Sequence, residues 1–159
     1  MIAITLVIGV FVVLMVVRRA IRSTVRGADR AIRHNTYESN VAEASTELLI
    51  YAPVPPSELI AEIVSIVNAH ESAPAMVAGL YLKARTKASV SFGLGNKVAA
   101  DHFVAQVALR RMGDDSAGWF RVLAWQESGA EVHGKPEMTR LRERIIEAVE
   151  NLGGTARAT

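Results

Sequence analysis

The residues with the widest chemical repertoire in this chain are four histidines, His34, His70, His102 and His133, and none is spaced to use it. No pair has the close HExxH or HxH spacing that places two imidazoles on one metal, and each falls near the end of an expected element, where a surface histidine is the ordinary outcome. Asp101-His102 offers the acid and the base of a catalytic pair, for which Ser89, Ser91 or Ser116 would have to be the nucleophile. No serine stands in a G-x-S-x-G turn, so that pairing has no local support. Gly93-Leu94-Gly95 has two of the three glycines of a dinucleotide loop, but it lies between two expected strands and reads as a turn. Asp114-Asp115-Ser116 presents carboxylates to a hard cation without the further ligands of a calcium loop. Those too read as turn residues. The chain has no cysteine, which excludes disulfides, thiolate nucleophiles and cysteine-ligated metal. The expectation is no catalytic residue, no cofactor and no metal, and so a non-enzymatic protein.

Charge points elsewhere. Six arginines, Arg18, Arg19, Arg22, Arg26, Arg30 and Arg33, stand against the single acid Asp29 in one short stretch. From Ser45 onward 12 basic residues face 13 acidic ones, so the rest of the chain lacks the basic footprint of a nucleic-acid-binding domain. A second, smaller cluster is Lys83, Arg85 and Lys87, which alternate along an expected strand with Tyr81 in line. At about 7 Å between alternate residues they would form a cationic row able to meet an anionic partner. Lysines that protect an edge strand would look the same.

The elements that must position these groups begin with an apolar run, Ile2 to Val17, interrupted only by Thr5 and Gly9. As a helix it would be about 24 Å long, and the stems of Arg18 and Arg19 supply the remaining reach across a bilayer core. A signal peptide would need a positive region before the run and a cleavage site after it, and neither is present. Residues 1–17 are therefore expected to form a single transmembrane helix in the cell membrane, N-terminus outside and the following domain cytoplasmic. Ile21, Val25, Ala28 and Ile32 then recur at helical steps beside the arginines, so residues 18–33 read as a basic amphipathic helix, able to contact an anionic leaflet through the six arginines or to self-associate. Residues 34–45 are polar and aperiodic and read as a linker.

Residues 46–153 read as one α+β domain of β-α-β-β-β(-β)-α order, an antiparallel sheet packed against two helices. Glu47 to Tyr51 is a short apolar strand stopped by the prolines of Ala52 to Pro56. The broad apolar face of Leu59, Ile60, Ile63, Val64, Ile66 and Val67 predicts a helix from Pro56 to His70. Period-two alternation predicts strands over Leu80–Lys87 and Ser89–Leu94, with further strands at Phe103–Leu109 and Trp119–Trp125 joined by a loop from Gly113 to Gly118. In these last two, Trp119, Phe120 and Trp125 read as core or rim packing. Pro136 opens a final helix whose stripe is Met138, Leu141, Ile145, Val149 and Leu152, and residues 154–159 read as a frayed tail.

Leu48 to Pro53, the helix after them and the final helix from Pro136 together resemble the helix-grip pattern of the START and Bet v1-like proteins. The chain departs from that pattern in its shorter meander and in having only His70 to Ala75 for the second short helix. The resemblance implies an enclosed apolar cavity between the sheet and the C-terminal helix that accepts a lipid-like ligand. Two functions are therefore expected: a membrane-anchored interaction or scaffold domain that binds another protein or itself, or a small-ligand or lipid-binding domain of helix-grip type.

Overall fold

The computed structural model describes residues 36–128 and 131–159. The expected transmembrane helix, the arginine-rich helix and His34 lie outside the described residues. Among the described residues no helix is long and apolar enough to cross a membrane.

Residues 36–45 are helical (α1), where the polar composition predicted a linker. This helix carries no broad apolar stripe because polar contacts hold it. Glu43 Oε2 lies 2.7 Å from the Lys135 ammonium, Lys135 also donates to Asn40 at 2.8 Å, and the Arg142 guanidinium donates to the carbonyls of Glu43 and Thr46. Those carbonyls lie at the helix's C-terminal end, where a cation satisfies groups with no intrahelical partner.

Strand β1 (Leu48–Ala52) alternates buried and exposed residues from end to end. Prolines stop it, and Pro56 opens α2 (Pro56–Val67) with Glu58 in the first turn. The helix ends three residues before the predicted His70, because Asn68 turns left-handed at φ 48°. His70 instead exchanges backbone hydrogen bonds with Leu80 and Leu82 on the edge of β2 (Gly79–Arg85), so no second short helix forms there.

A meander follows through β3 (Ser89–Gly95), β4 (Phe103–Met112) and β5 (Asp115–Trp125). The predicted loop from Gly113 to Gly118 shrinks to a tight turn at Gly113 and Asp114, with Gly113 at φ 68°. Asp115 to Gly118 are strand, since they pair with β4 on one side and β1 on the other. A short hairpin of β6 (Glu127–Ser128) and β7 (Glu131–Val132) leads into α3 (Lys135–Asn151). The expected frayed tail is also corrected: Thr155–Ala158 form β8, paired antiparallel with β1 from Leu48↔Ala158 to Tyr51↔Thr155. Backbone pairing needs no apolar pattern, which is why TARA carried no signal.

The six strands run in the order β2-β3-β4-β5-β1-β8, all antiparallel. One face packs Phe92, Phe103 and Phe120 with Val90, Val107, Leu48 and Ile50 against Leu59, Ile60 and Ile63 of α2 and Leu141, Ile145 and Val149 of α3. This is the hydrophobic core. Among the described residues from Asn40 onward, no helix covers the opposite face.

Candidate functional site

Most polar groups singled out in the sequence are committed to structure. Asp101 does not orient His102; its carboxylate accepts from the Tyr81 hydroxyl at 2.8 Å and pairs with Lys83 at 2.6 Å. The hydrogen bond that Lys83 donates to Asp101 holds its ammonium above the usual lysine range, and burial helped by the same carboxylate raises the Tyr81 phenol. Ser116 is fully buried and donates to the Val54 carbonyl, and Ser89 bonds the Thr86 hydroxyl. Gly93-Leu94-Gly95 is not the expected turn: all three residues are strand, paired with Tyr81, Leu80 and Gly79 of β2, and the chain leaves the sheet only at Asn96. Asp114 pairs with Arg111 at 3.4 Å. His102 and His133 meet ring to ring at 5.7 Å, and His133 Nε2 lies 2.6 Å from Ser128 Oγ on the exposed β6-β7 hairpin. That contact was not legible from spacing. Among the described residues no three potential ligands converge on a metal position.

The cationic row of Lys83, Arg85 and Lys87 does not form as expected. The register slips between Leu82 and Ala84, so Lys83 is an extra residue that breaks the alternation. Lys87 lies past the end of β2, in the turn to β3.

Room for a ligand is found on the other side of the sheet from the one the helix-grip resemblance implied. Between α3 and the sheet, Phe92, Phe103, Phe120, Ile63, Ile145 and Val149 are all 0% exposed. A cavity large enough for a water molecule would give its lining residues accessible surface, so these side chains border none. The open face instead holds a concavity of about 520 Å³ lined by Leu49, Ala108, Arg110, Ala117 and Trp119 and by the backbone around Leu109 and Gly118. Three strands build it. The in-register pairs Leu49↔Trp119, Arg110↔Ala117 and Ala108↔Trp119 place small side chains on its floor and Leu49, Trp119 and Arg110 around it. Gly118 lets the strands come this close: a Cβ there would strike the Ala108 carbonyl and come within 2.8 Å of Leu109 Cα.

The chemistry of this face is apolar with a positive border. Leu49 is 52% exposed, Trp119 presents its ring, and the Arg121 guanidinium stacks 3.8 Å from that ring's centroid. Arg110 and Arg157 stand exposed on the same face. The Asp115 carboxylate accepts from the Tyr51 hydroxyl at 2.6 Å, which lifts the Tyr51 phenol above its ordinary range. Sequence reading assigned Trp119 to packing and passed over Leu49, Ala108, Arg110 and Ala117. The concavity joins positions some sixty residues apart, and no local pattern announces that.

The element order is now complete: strand, proline stop, helix, antiparallel meander, and a long final helix on the same face of the sheet as the first. The helix-grip resemblance holds. Solved structures similar to this domain include an HSP90 activator from Plasmodium falciparum, 10% identical with a TM-score of 0.48 over 71% of this chain and 99% of that one. A protein from Arthrobacter aurescens is 11% identical with a TM-score of 0.43 over 70% and 85%, and Ara h 8.0201 is 14% identical with a TM-score of 0.35 over 67% and 94%. Likenesses this distant carry no argument about activity. No family model and no curated protein matches the chain.

Proposed function

We propose that this is a non-enzymatic binding domain of helix-grip type that takes a small amphiphilic ligand with an acidic group on the open face of its sheet. The observation that carries the reading is the concavity of about 520 Å³, which joins an apolar floor to an arginine at its edge. Its size lies in the range of small-molecule sites, which are lined mainly by apolar and aromatic groups with a few polar ones that fix orientation. The ligand's apolar body lies against Leu49, Ala108, Ala117 and Trp119, and its acid meets Arg110. A guanidinium suits a carboxylate, sulfonate or phosphate through paired hydrogen bonds.

Titration with an anilinonaphthalene sulfonate, which has an apolar ring system and one anionic group, tests this. Saturable binding is expected, weakened about tenfold by Trp119→Ala or by Ala117→Leu, a loss of about 1.4 kcal/mol. Equal binding by Ala117→Leu, which fills the floor, would show that the probe lodges elsewhere.

A second reading, protein docking on the same face, is favoured by the exposure of Leu49, Tyr51, Met112 and Leu123. It agrees with a scaffold role at the membrane, for which the apolar run and the arginines of the first 33 residues are the sequence support. Affinity recovery of the full chain distinguishes the two, since a stoichiometric protein lost with Ala117→Leu favours docking and a retained small molecule favours the ligand.

A further inference from the structure

The most exposed large apolar side chains in the described structure are not on the open sheet face. Met76 is 81%, Val77 79% and Val98 83% exposed, and they stand on two loops that precede β2 and follow β3. These loops are fastened to each other. Lys97 N–H donates to the Pro74 carbonyl at 2.8 Å and Asn96 Nδ2 donates to the Met76 carbonyl at 2.9 Å, while Asn96 Oδ1 accepts from Val98 N and Ala99 N. One asparagine thus fixes both loops. Its bonds hold the backbone, so the three aliphatic side chains stay out in water with no neighbour to cover them.

We propose that this paired-loop tip inserts into the interfacial layer of a lipid bilayer. The inference goes beyond the ligand reading and does not depend on it. A side chain some four-fifths exposed is a convex point, and a rigid protein partner would need a matching hollow, whereas a bilayer closes around any small apolar protrusion. Lys97 lies between the apolar residues in sequence, and its long stem can run along the inserted surface while the ammonium stays among phosphates. The acid of the second loop, Asp101, is held by Lys83 and Tyr81, which leaves Glu71, five residues before Met76, as the acid to be kept clear of the phosphates. The membrane helix expected over residues 1–17 would also bring a bilayer within reach. Its apolar run ends at Val17, and the residues from there to Asn40 span at most about 80 Å even fully extended. Tethering of that kind raises the local concentration enough for three aliphatic groups to matter.

The absence of cysteine in the chain makes the test direct. Met76→Cys, Val98→Cys and, as controls, Leu123→Cys and Glu147→Cys are made in the full chain, labelled with an environment-sensitive fluorophore and reconstituted in phosphatidylcholine–phosphatidylglycerol vesicles. Emission at 76 and 98 should shift to the blue and be quenched several-fold more by nitroxide-bearing lipid than at 123 or 147. Equal lipid quenching at all four sites would overturn the proposal, as would quenching at 76 and 98 by aqueous iodide as strong as at 147. A blue shift already present in detergent and accompanied by cross-linking between copies would assign the tip to protein contact instead.

Discussion

At the scale of single residues, the open face depends on Gly118 more than on any group that would touch a ligand. A methyl there meets backbone of the neighbouring strand, which cannot swing aside as a side chain would. Gly118→Ala should cost about 2 kcal/mol or more, within the range of overpacking changes, and thermal unfolding would read it as a lowered midpoint. Glu43 sets a different limit. The hydrogen bond from the Lys135 ammonium, with a smaller one from Thr139, holds its carboxyl below the ordinary value of 4.5 against an opposing effect of burial. Since the folded value lies below the unfolded one, the contribution is complete above about pH 4.5 and disappears as pH falls through the lower, folded value. Residues 40–46 should then exchange amide protons faster, relative to intrinsic rates, on acidification below that point. Glu43→Gln should show the faster exchange already at neutral pH, and the pH dependence should vanish with it.

At the scale of elements, what could be read from the sequence was whatever pays in apolar burial. The α2 stripe of Leu59, Ile60 and Ile63, the α3 stripe of Met138, Leu141 and Ile145, and the alternation in β3 all carry the core, and all were legible. Elements held by other forces were not. α1 is fastened by Lys135 and Arg142, nearly a hundred residues away, and β8 chiefly by backbone pairing with β1, with only the small Ala156 against the core. The cationic row of Lys83, Arg85 and Lys87 failed for a third reason, since a single extra residue reverses the parity of everything after it. β8 also has a protective role: without it, β1 would offer an unpaired edge next to the exposed Leu49 and Tyr51. Removing Thr155 to Thr159 should cost about 2–4 kcal/mol, at roughly 1 kcal/mol per lost hydrogen bond, and lower the midpoint by roughly 10 °C. Light scattering on heating should rise in the same variant.

At the scale of the whole molecule, two helices close one side of the sheet and leave the other open. The fully buried side chains at the centre of the core, among them Phe92, Phe103 and Phe120, give the open face a packed support, so the ligand proposed above would meet a preformed surface. The position of β1 has one further consequence, which concerns how the molecule is made. It is the first strand of the domain, yet it lies between β5 and β8, the last strands of its sheet. A ribosome adding about 5–20 residues per second completes β1 roughly 5 to 20 s before β8 exists to pair with it. Through that interval the nascent chain carries Leu48 to Ala52 with one edge or both unfilled, an extended apolar segment of the kind that holding chaperones recognise and that neighbouring copies on a polysome can capture.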